Sequence, residues 1–331
     1  MKAVTVTAPA RVDLAGGSLD LWPQGLLVEG ALTVNVAVGL RARAALKRDG
    51  REGVGLRSRD LGDGYRWKRG QARGRLALLE RYVEALGLEG GWSLETGSDV
   101  PPGSGLGGSS ALSVAVAAAL EAASGRRFDP AALVALCRDV EAAHLGIPTG
   151  VQDFWPALHG GALAIHYAPG RERVERLTVD LAALGRRLVV AYSGQSRLSA
   201  RTNWALMKRF LDGDPETVRR LEEVAAVARA MRQALLQGDL DGAGRLLGDE
   251  WEARRGLADG VETEEVRRLL EAGRKAGALG GKACGAGGGG CLAFLVPEGA
   301  RWVVERALSE AGAGILPAAP SEDGLSVEVV P

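Results

Sequence analysis

The stretch DVPPGSGLGGSSAL, residues 99–112, constrains the fold of this 331-residue chain more than any other segment. Two prolines and four glycines stand directly before Ser109 to Ala123, an apolar, alanine-rich run that predicts a helix. The first turn of a helix carries free N–H groups and the positive end of the macrodipole, so such a loop can bind phosphate through its backbone, without a lysine. A tight turn would need the same glycines, and the loop alone leaves both interpretations open.

Two other phosphate-binding patterns do not fit this loop. Gly103, Gly105 and Gly108 satisfy G-x-G-x-x-G, but Pro101 and Pro102 keep a strand from running directly into the first glycine. The next ~20 residues read as a helix, where a dinucleotide-binding fold needs a second strand that ends in an acidic residue. A Walker A loop would require Gly-Lys-Ser/Thr at its end, which is absent here.

The charge pattern indicates a small-molecule partner, and the hydropathy pattern indicates a protein that does not enter a membrane. Lysine plus arginine and aspartate plus glutamate number 41 each, without a block of like charge, so we expect no nucleic-acid binding. The N-terminus alternates apolar and polar residues, and no apolar stretch reaches the ~18 residues of a membrane span, so we expect a cytoplasmic protein. Cys137, Cys284 and Cys291 lack the spacing of metal ligands, which predicts buried free thiols.

The length exceeds what one hydrophobic core ordinarily supports, so we expect two domains, 1–184 and 185–331, divided near the polar connection APGRERVERLTVDLAALG. Asp129, Pro130 and Gly146 predict the start and end of a helix over 130–145. In the first domain, strands are predicted at 3–9, 31–46, WSLETG and GALAIHY, and a helix at ERYVEAL. In the second, strands are predicted at RLVVAYSG, CLAFLVP and LSVEVV, and helices at 202–210, 215–238 and 261–276.

Two more segments accompany the first loop: APARVDLAGGSLDLWP near the start of the chain and ALGGKACGAGGGGCLAF near its end. Together with PPGSGLGGSSA, in this order and at these separations, they resemble the three motifs of the GHMP kinase superfamily, which includes galactokinase, homoserine kinase, mevalonate kinase and phosphomevalonate kinase. LAGGSLD, GVQDFWPALHGG and GGKACGAGGGG are most similar to heptose-phosphate kinases and fucokinase-like sugar kinases. The resemblance implies an α+β two-domain fold, with an N-terminal ribosomal-protein-S5-like domain and a C-terminal ferredoxin-like domain.

The resemblance also implies ATP and Mg²⁺ as cofactors. ATP would bind the second motif, at Pro102, Gly103, Ser104, Gly105, Leu106, Gly107, Gly108, Ser109 and Ser110. Glu141, which helical periodicity places on or beside an apolar face, would bind Mg²⁺ together with Ser109. A buried carboxylate needs a partner, and Mg²⁺ would supply one; the alternative is a solvated glutamate near the end of the helix.

Asp153 matches the segment in which galactokinase-like and mevalonate kinase-like enzymes carry a catalytic aspartate, so the resemblance makes it the base for a sugar hydroxyl. Arg11 would orient Asp153 and offset negative charge, unless it is a strand-end arginine that faces solvent. Asp20 would contact sugar hydroxyls. The further substrate contacts implied are Gly16, Gly17, Asp153 and Gly287. The third motif is expected to pack against the second.

The neighbourhood of Asp20 departs from the family. It reads GGSLDLWP, where galactokinases have G-E-H-T-D-Y and typical heptose kinases G-G-G-T-D, so the sugar stays open. Trp22 would stack on a sugar or pack in the core, and Lys282 would meet a substrate phosphate or solvent. Arg197 and Arg201 would clamp a phosphorylated acceptor or belong to an ordinary loop, and Trp67 would contribute to the adenine pocket.

The sequence therefore predicts a kinase that transfers the γ-phosphoryl group of ATP to a hydroxyl of a sugar or sugar phosphate, at the anomeric carbon, as a monomer or homodimer. Two alternatives stay open at this point. One is a mevalonate-type kinase, and the other is a regulator on the same fold that binds sugar or nucleotide without catalysis. Arg11, Ser109, Glu141 and Asp153 together argue against lost catalysis.

Overall fold

The strands and helices below are those of a computed structural model that describes residues 2–195 and 200–330. The strands are β1 (Ala3–Ala15), β2 (Leu32–Arg48), β3 (Val54–Ser58), β4 (Asp63–Trp67), β5 (Trp92–Ser98), β6 (Ala162–His166), β7 (Arg173–Leu177), β8 (Leu188–Tyr192), β9 (Gly280–Ala283), β10 (Cys291–Leu295), β11 (Gly314–Ile315) and β12 (Ser326–Val330). The helices are α1 (Gln24–Leu27), α2 (Ala77–Leu86), α3 (Gly108–Ser124), α4 (Pro130–Leu145), α5 (Phe154–His159), α6 (Leu181–Arg187), α7 (Ala200–Leu211), α8 (Pro215–Leu236), α9 (Leu240–Arg254), α10 (Glu264–Lys275) and α11 (Arg301–Glu310).

The first sheet is built around the long antiparallel pair of β1 and β2. Its order is β12-β1-β2-β5-β3-β4, and β6 and β7 extend it from the other end of β2. Arg11 lies opposite Ala37 and Asp13 opposite Asn35, so these polar side chains share one face of the sheet. The other end of this strand pair, which includes Val4 in β1 and Leu46 in β2, packs on α2 to α5 through a buried apolar core. The strand that carries Arg11 and Asp13 is therefore fixed by this core.

The closing strand of the chain lies in the first sheet. The pattern LSVEVV was correctly predicted as a strand. The sequence grouped it with the second domain, whereas in the structure β12 pairs antiparallel with β1, Val329 opposite Val4 and Ser326 opposite Thr7. Alternation of apolar and polar residues specifies a strand and its buried face, but it does not specify the partner strand.

Helices α3 and α4 confirm the boundaries predicted from their ends. Asp129 accepts a hydrogen bond from the Ala132 N–H, Pro130 occupies the first helical position, and Gly146 ends α4 at φ 71°. Gly107, at φ 70°, directly precedes α3 and has no side chain that could cap it. The backbone amides of the first turn of α3 therefore receive no hydrogen bond from a capping side chain.

The second sheet has the order β11-β8-β10-β9, and all its pairs are antiparallel. One face packs on α10 and α11, whereas the opposite face packs on α8 and α9, which also contact β1 and β2. All three cysteines are buried and free, as expected. None of the helices in the described ranges has the length and apolar character needed to cross a bilayer.

The sequence does not predict α9, because its three glycines disfavour a helix. The structure explains one of them, Gly244, by its close packing on Leu279 and Gly280. A Cβ at Gly244 would lie 2.6 Å from the Cβ of Leu279, and a Cβ at Gly280 would overlap the Gly244 carbonyl. This close approach of α9 to β9 brings the C-terminal turns of α9, with Glu250 and Arg254, over the second sheet and the third motif, residues 278–294, which we call the third glycine segment.

Candidate active site

The loop before α3 has both buried and exposed residues. Ser104, Leu106 and Ser110 are buried, so their side chains hold the loop in place, whereas Pro102, Gly103 and Ser109 are exposed. The N–H of Arg11 donates to the Leu106 carbonyl at 2.9 Å, which ties the loop to β1.

The third glycine segment packs directly on this loop. The Cys291 N–H donates to the Ser104 carbonyl at 2.7 Å. A Cβ added to Gly105, whose φ is +76°, would lie 2.5 Å from the Cys284 carbonyl oxygen, and one added to Gly285 would lie 3.0 Å from the Gly105 Cα. Side chains at these positions would therefore force the two segments apart.

Arg11 and Asp153 form a buried ion pair beside the loop. Asp153 Oδ1 accepts from Arg11 Nε at 2.8 Å and lies 2.6 Å from Nη2, while Nη1 donates to the Gly105 carbonyl at 2.6 Å. The Arg11 side chain is 3% exposed, so it does not face solvent, and that of Asp153 is 25% exposed. Burial raises the pKa of Asp153, although the charge of Arg11 opposes the shift. Asp153 begins α5 without capping it, so the guanidinium is its partner.

Ser109 and Glu141 meet at the first turn of α3. The Ser109 hydroxyl donates to Glu141 Oε1 at 3.4 Å. Burial raises the pKa of Glu141 to about 7, and the charges of Asp153 and Asp20 add to the shift. The apolar face predicted for α4 holds for Glu141 but not for His144, which is exposed.

This surplus of negative charge fits a hard cation with oxygen ligands. Mg²⁺ typically takes one or two carboxylates and completes its shell with phosphate and water, so Ser109 and Glu141 suit it. In the part of the chain that the structure describes, no group of three or more His, Cys, Asp or Glu side chains forms a protein-only metal cage.

Asp20 lies where the β1–α1 connection meets the segment before α5. It accepts from the backbone N–H of Gln152 at 3.3 Å and from Gln152 Nε2 at 3.2 Å. Asn35 Nδ2 in turn donates to the Gln152 carbonyl at 3.1 Å. Burial raises the pKa of Asp20 to about 6, and the charge of Asp153 adds to it.

The three glycines predicted to contact substrate differ in their surroundings. Gly16 and Gly17 are buried: a Cβ on Gly16 would overlap the Leu32 carbonyl, and one on Gly17 would reach the Arg254 guanidinium. Gly287 is half-buried at φ +75°, with Val261 beneath it. Their contact with substrate stays a prediction.

Sequence reasoning missed a cluster of four charged residues beneath the glycine segments, Asp13, Glu250, Arg254 and Lys282, which we call the buried charge cluster. Lys282 Nζ lies 2.8 Å from Asp13 Oδ2 and 2.9 Å from Glu250 Oε2. Arg254 Nη1 lies 3.1 Å from Asp13 Oδ2 and 3.5 Å from Glu250 Oε1. All four side chains are at most 2% exposed. Both interpretations of Lys282 were therefore wrong, because it meets neither substrate nor solvent.

The sequence also suggested roles for two tryptophans and two arginines. Trp67 is 3% exposed within the first core, so its assignment to an adenine pocket was wrong. Trp22 is 71% exposed, which rules out core packing and leaves the sugar contact as a prediction. Arg197 and the side chain of Arg201 lie outside the described residues.

Comparison with known proteins shows which family the chain belongs to. The model of the GHMP kinases N terminal domain matches residues 75–161, and that of the GHMP kinases C terminal matches residues 231–314. A mevalonate kinase of Aeropyrum pernix is 30% identical over 99% of this chain and 99% of its own length. The chain belongs to the GHMP kinase family. This GHMP kinase is accordingly an ATP-dependent phosphotransferase, and its fold is the two-domain GHMP fold that the resemblance implied.

Other relatives of this GHMP kinase include sugar-phosphate kinases. The D-glycero-alpha-D-manno-heptose 7-phosphate kinase of Campylobacter jejuni is 29% identical, over 66% of this chain and 65% of the relative. Among solved structures, a D-glycero-D-manno-heptose 1-phosphate kinase from Bacteroides thetaiotaomicron superposes with a TM-score of 0.80 at 22% identity, covering 99% of both chains. That identity supports the shared fold alone.

Proposed function

We propose that this GHMP kinase transfers the γ-phosphoryl group of ATP to a hydroxyl of a sugar or sugar phosphate, with Mg²⁺ as the metal. The observation that carries the proposal is the Arg11–Asp153 pair, which lies beside the open first turn of α3. It brings together a proton acceptor, a fixed positive charge and backbone amides, three of the components that enzymes use for phosphoryl transfer to an alcohol.

Asp153 would act as the base. Both guanidinium contacts engage Oδ1, which leaves Oδ2 to accept the proton as the acceptor oxygen attacks the γ-phosphorus. The bond from that phosphorus to the bridging oxygen of ADP breaks in the same exchange. Arg11 would hold Asp153 in place and offset charge on the transferred group, while the backbone amides from Gly105 to Ser109 would bind the phosphates.

Ser109 and Glu141 would hold Mg²⁺. The metal, when bound, neutralises charge on the phosphates and supplies the countercharge that the buried Glu141 carboxylate lacks.

The acceptor region favours a neutral polyhydroxyl group. Asp20, held by Gln152, can accept from sugar hydroxyls, and its carboxylate stands near that of Asp153. An anionic group on the acceptor, whether the carboxylate of mevalonate or the phosphate of a sugar phosphate, would need a cation outside this region. The buried cations among residues 2–195 and 200–330 are Arg11, Arg254 and Lys282, and each is already paired with a carboxylate.

A mevalonate-type kinase is the second candidate, because several curated relatives bear that name, the one from Aeropyrum pernix over 99% of this chain. The deciding experiment measures ADP release with ATP and Mg²⁺ across heptose 7-phosphate, fucose, galactose and mevalonate, with Asp153→Asn in parallel. We expect turnover of a sugar or sugar phosphate, and a loss of about 10²-fold or more in the variant. Turnover of mevalonate alone would establish the second candidate, and nucleotide binding without turnover of any acceptor would refute both.

A further inference from the structure

The buried charge cluster lies at the junction of all three glycine segments. Asp13 comes from β1, Glu250 and Arg254 from α9, and Lys282 from β9, so four charges from a strand of each sheet and from one helix meet in one buried site. Two anions and two cations make the cluster neutral. Burying four charges is expensive, and buried ion pairs of this kind are weak evidence for stability, so their presence calls for another explanation.

The cluster holds the third glycine segment through both backbone polar groups of one residue, Gly285. Asp13 Oδ1 accepts from the Gly285 N–H at 3.1 Å, and Arg254 Nη2 donates to the Gly285 carbonyl. Gly17 of the first segment packs on the same guanidinium. Gly285 is therefore fixed by one charged group from the first sheet and one from α9.

From Gly285 the contacts continue to Asp153. Gly285 lies against Gly105, whose carbonyl accepts from Arg11 Nη1 at 2.6 Å, and Arg11 Nε reaches Asp153 at 2.8 Å. Arg11 and Asp13 are also two residues apart on β1 and share one face of the sheet. Each link is a hydrogen bond or a van der Waals contact between backbone and side chains that have little room to shift.

We propose that the buried charge cluster consists of positioning residues. Asp13, Glu250, Arg254 and Lys282 hold the third glycine segment against the loop before α3, and in this way they fix Arg11 and Asp153. None of the four touches a reacting group. Their effect on catalysis passes through Gly285 and Gly105, and this inference rests on the proposed role of Asp153. A displacement of about 1 Å at a reacting group can cost about 10²-fold in rate, so a loose junction would be visible in kcat.

The test uses the double variant Glu250→Leu/Arg254→Met. This variant removes one anion and one cation from α9 and leaves Asp13 paired with Lys282, so the net charge of the site stays zero. Replacing a buried ion pair by apolar residues often leaves stability unchanged. We expect a melting temperature close to that of the wild type and a kcat lower by about 10-fold or more, because Gly285 loses its donor. The amides of 103–108 and 285–290 should exchange hydrogen faster, with α9 and β10 unchanged.

The matched control is Glu175→Leu/Arg232→Met, which removes the half-buried pair that joins β7 to α8 away from the glycine segments. It should leave kcat and the exchange of both loops as in the wild type. A stable Glu250→Leu/Arg254→Met protein with wild-type exchange in both loops would overturn the inference, whatever its activity. If the wild type turned over no acceptor, the proposed function would fail, while the exchange measurement would still decide this one.

Discussion

Replacing Asp20 by asparagine should stabilise the protein at alkaline pH while weakening substrate binding. Burial and Asp153 raise the pKa of Asp20 from 3.8 to about 6 in the folded state. Between these values the folded protein keeps a proton that the unfolded chain has released, so the free energy of unfolding falls as pH rises through about 4 to 6 and stays low above it. A shift of about 2 pKa units corresponds to at most about 3 kcal/mol.

Asparagine fits the site as well as the protonated acid does. The Gln152 N–H can still donate to Oδ1 of the new residue, and Gln152 Oε1, which is buried without a partner, can accept from its Nδ2 if the Gln152 amide turns over. Asp20→Asn cannot ionise, so it escapes the loss that the wild type suffers above pH 6. The gain at pH 8 should approach about 5–10 °C in melting temperature, and it should vanish at pH 4.

The assay is thermal unfolding of both proteins without ligands from pH 4 to pH 8.5. Asp139→Asn is the matched control, since the Asp139 side chain is 67% exposed and its replacement should change stability by less than about 0.5 kcal/mol. In the kinetic assay Asp20→Asn should raise KM for the acceptor more than KM for ATP. An Asp20→Asn protein that is no more stable than the wild type at pH 8 would refute the account of this site.

Three further predictions concern the nucleotide side of the site. Glu141→Gln should require more Mg²⁺ for half-maximal activity, and an unchanged metal titration would remove Glu141 from that role. Gly105→Ala should destabilise the protein by about 1–3 kcal/mol and slow turnover, since its φ is positive and the Cβ would press on the Cys284 carbonyl; denaturant unfolding would show it. Arg11→Lys should lower kcat by about 10-fold or more with little change in KM for ATP, because one ammonium cannot hold both Asp153 and the Gly105 carbonyl; equal kcat would contradict this.

Local signals account for what the sequence predicted well. The caps of α4 and the glycine loop before α3 act within a few residues of the chain, so pattern alone locates them. Arg11 and Asp153 are 142 residues apart, and their pairing could be anticipated only because known motifs bracket both.

The buried charge cluster shows why the rest could not be predicted. Lys282 and Asp13 are 269 residues apart, and α9, which supplies Glu250 and Arg254, has a glycine-rich pattern that reads as irregular. Nothing in the neighbourhood of any one of these residues indicates that it is buried, because a charged residue is ordinarily exposed. Their burial follows only from the packing of α9 on β9.

The pairing of β12 with β1 also has a consequence for synthesis on the ribosome. The first sheet incorporates residues 326–330, so it must wait for translation of the entire second domain before its outer edge is covered. Until then the nascent chain exposes the unpaired backbone groups of β1, an open edge of the kind that favours misassembly between neighbouring polypeptides.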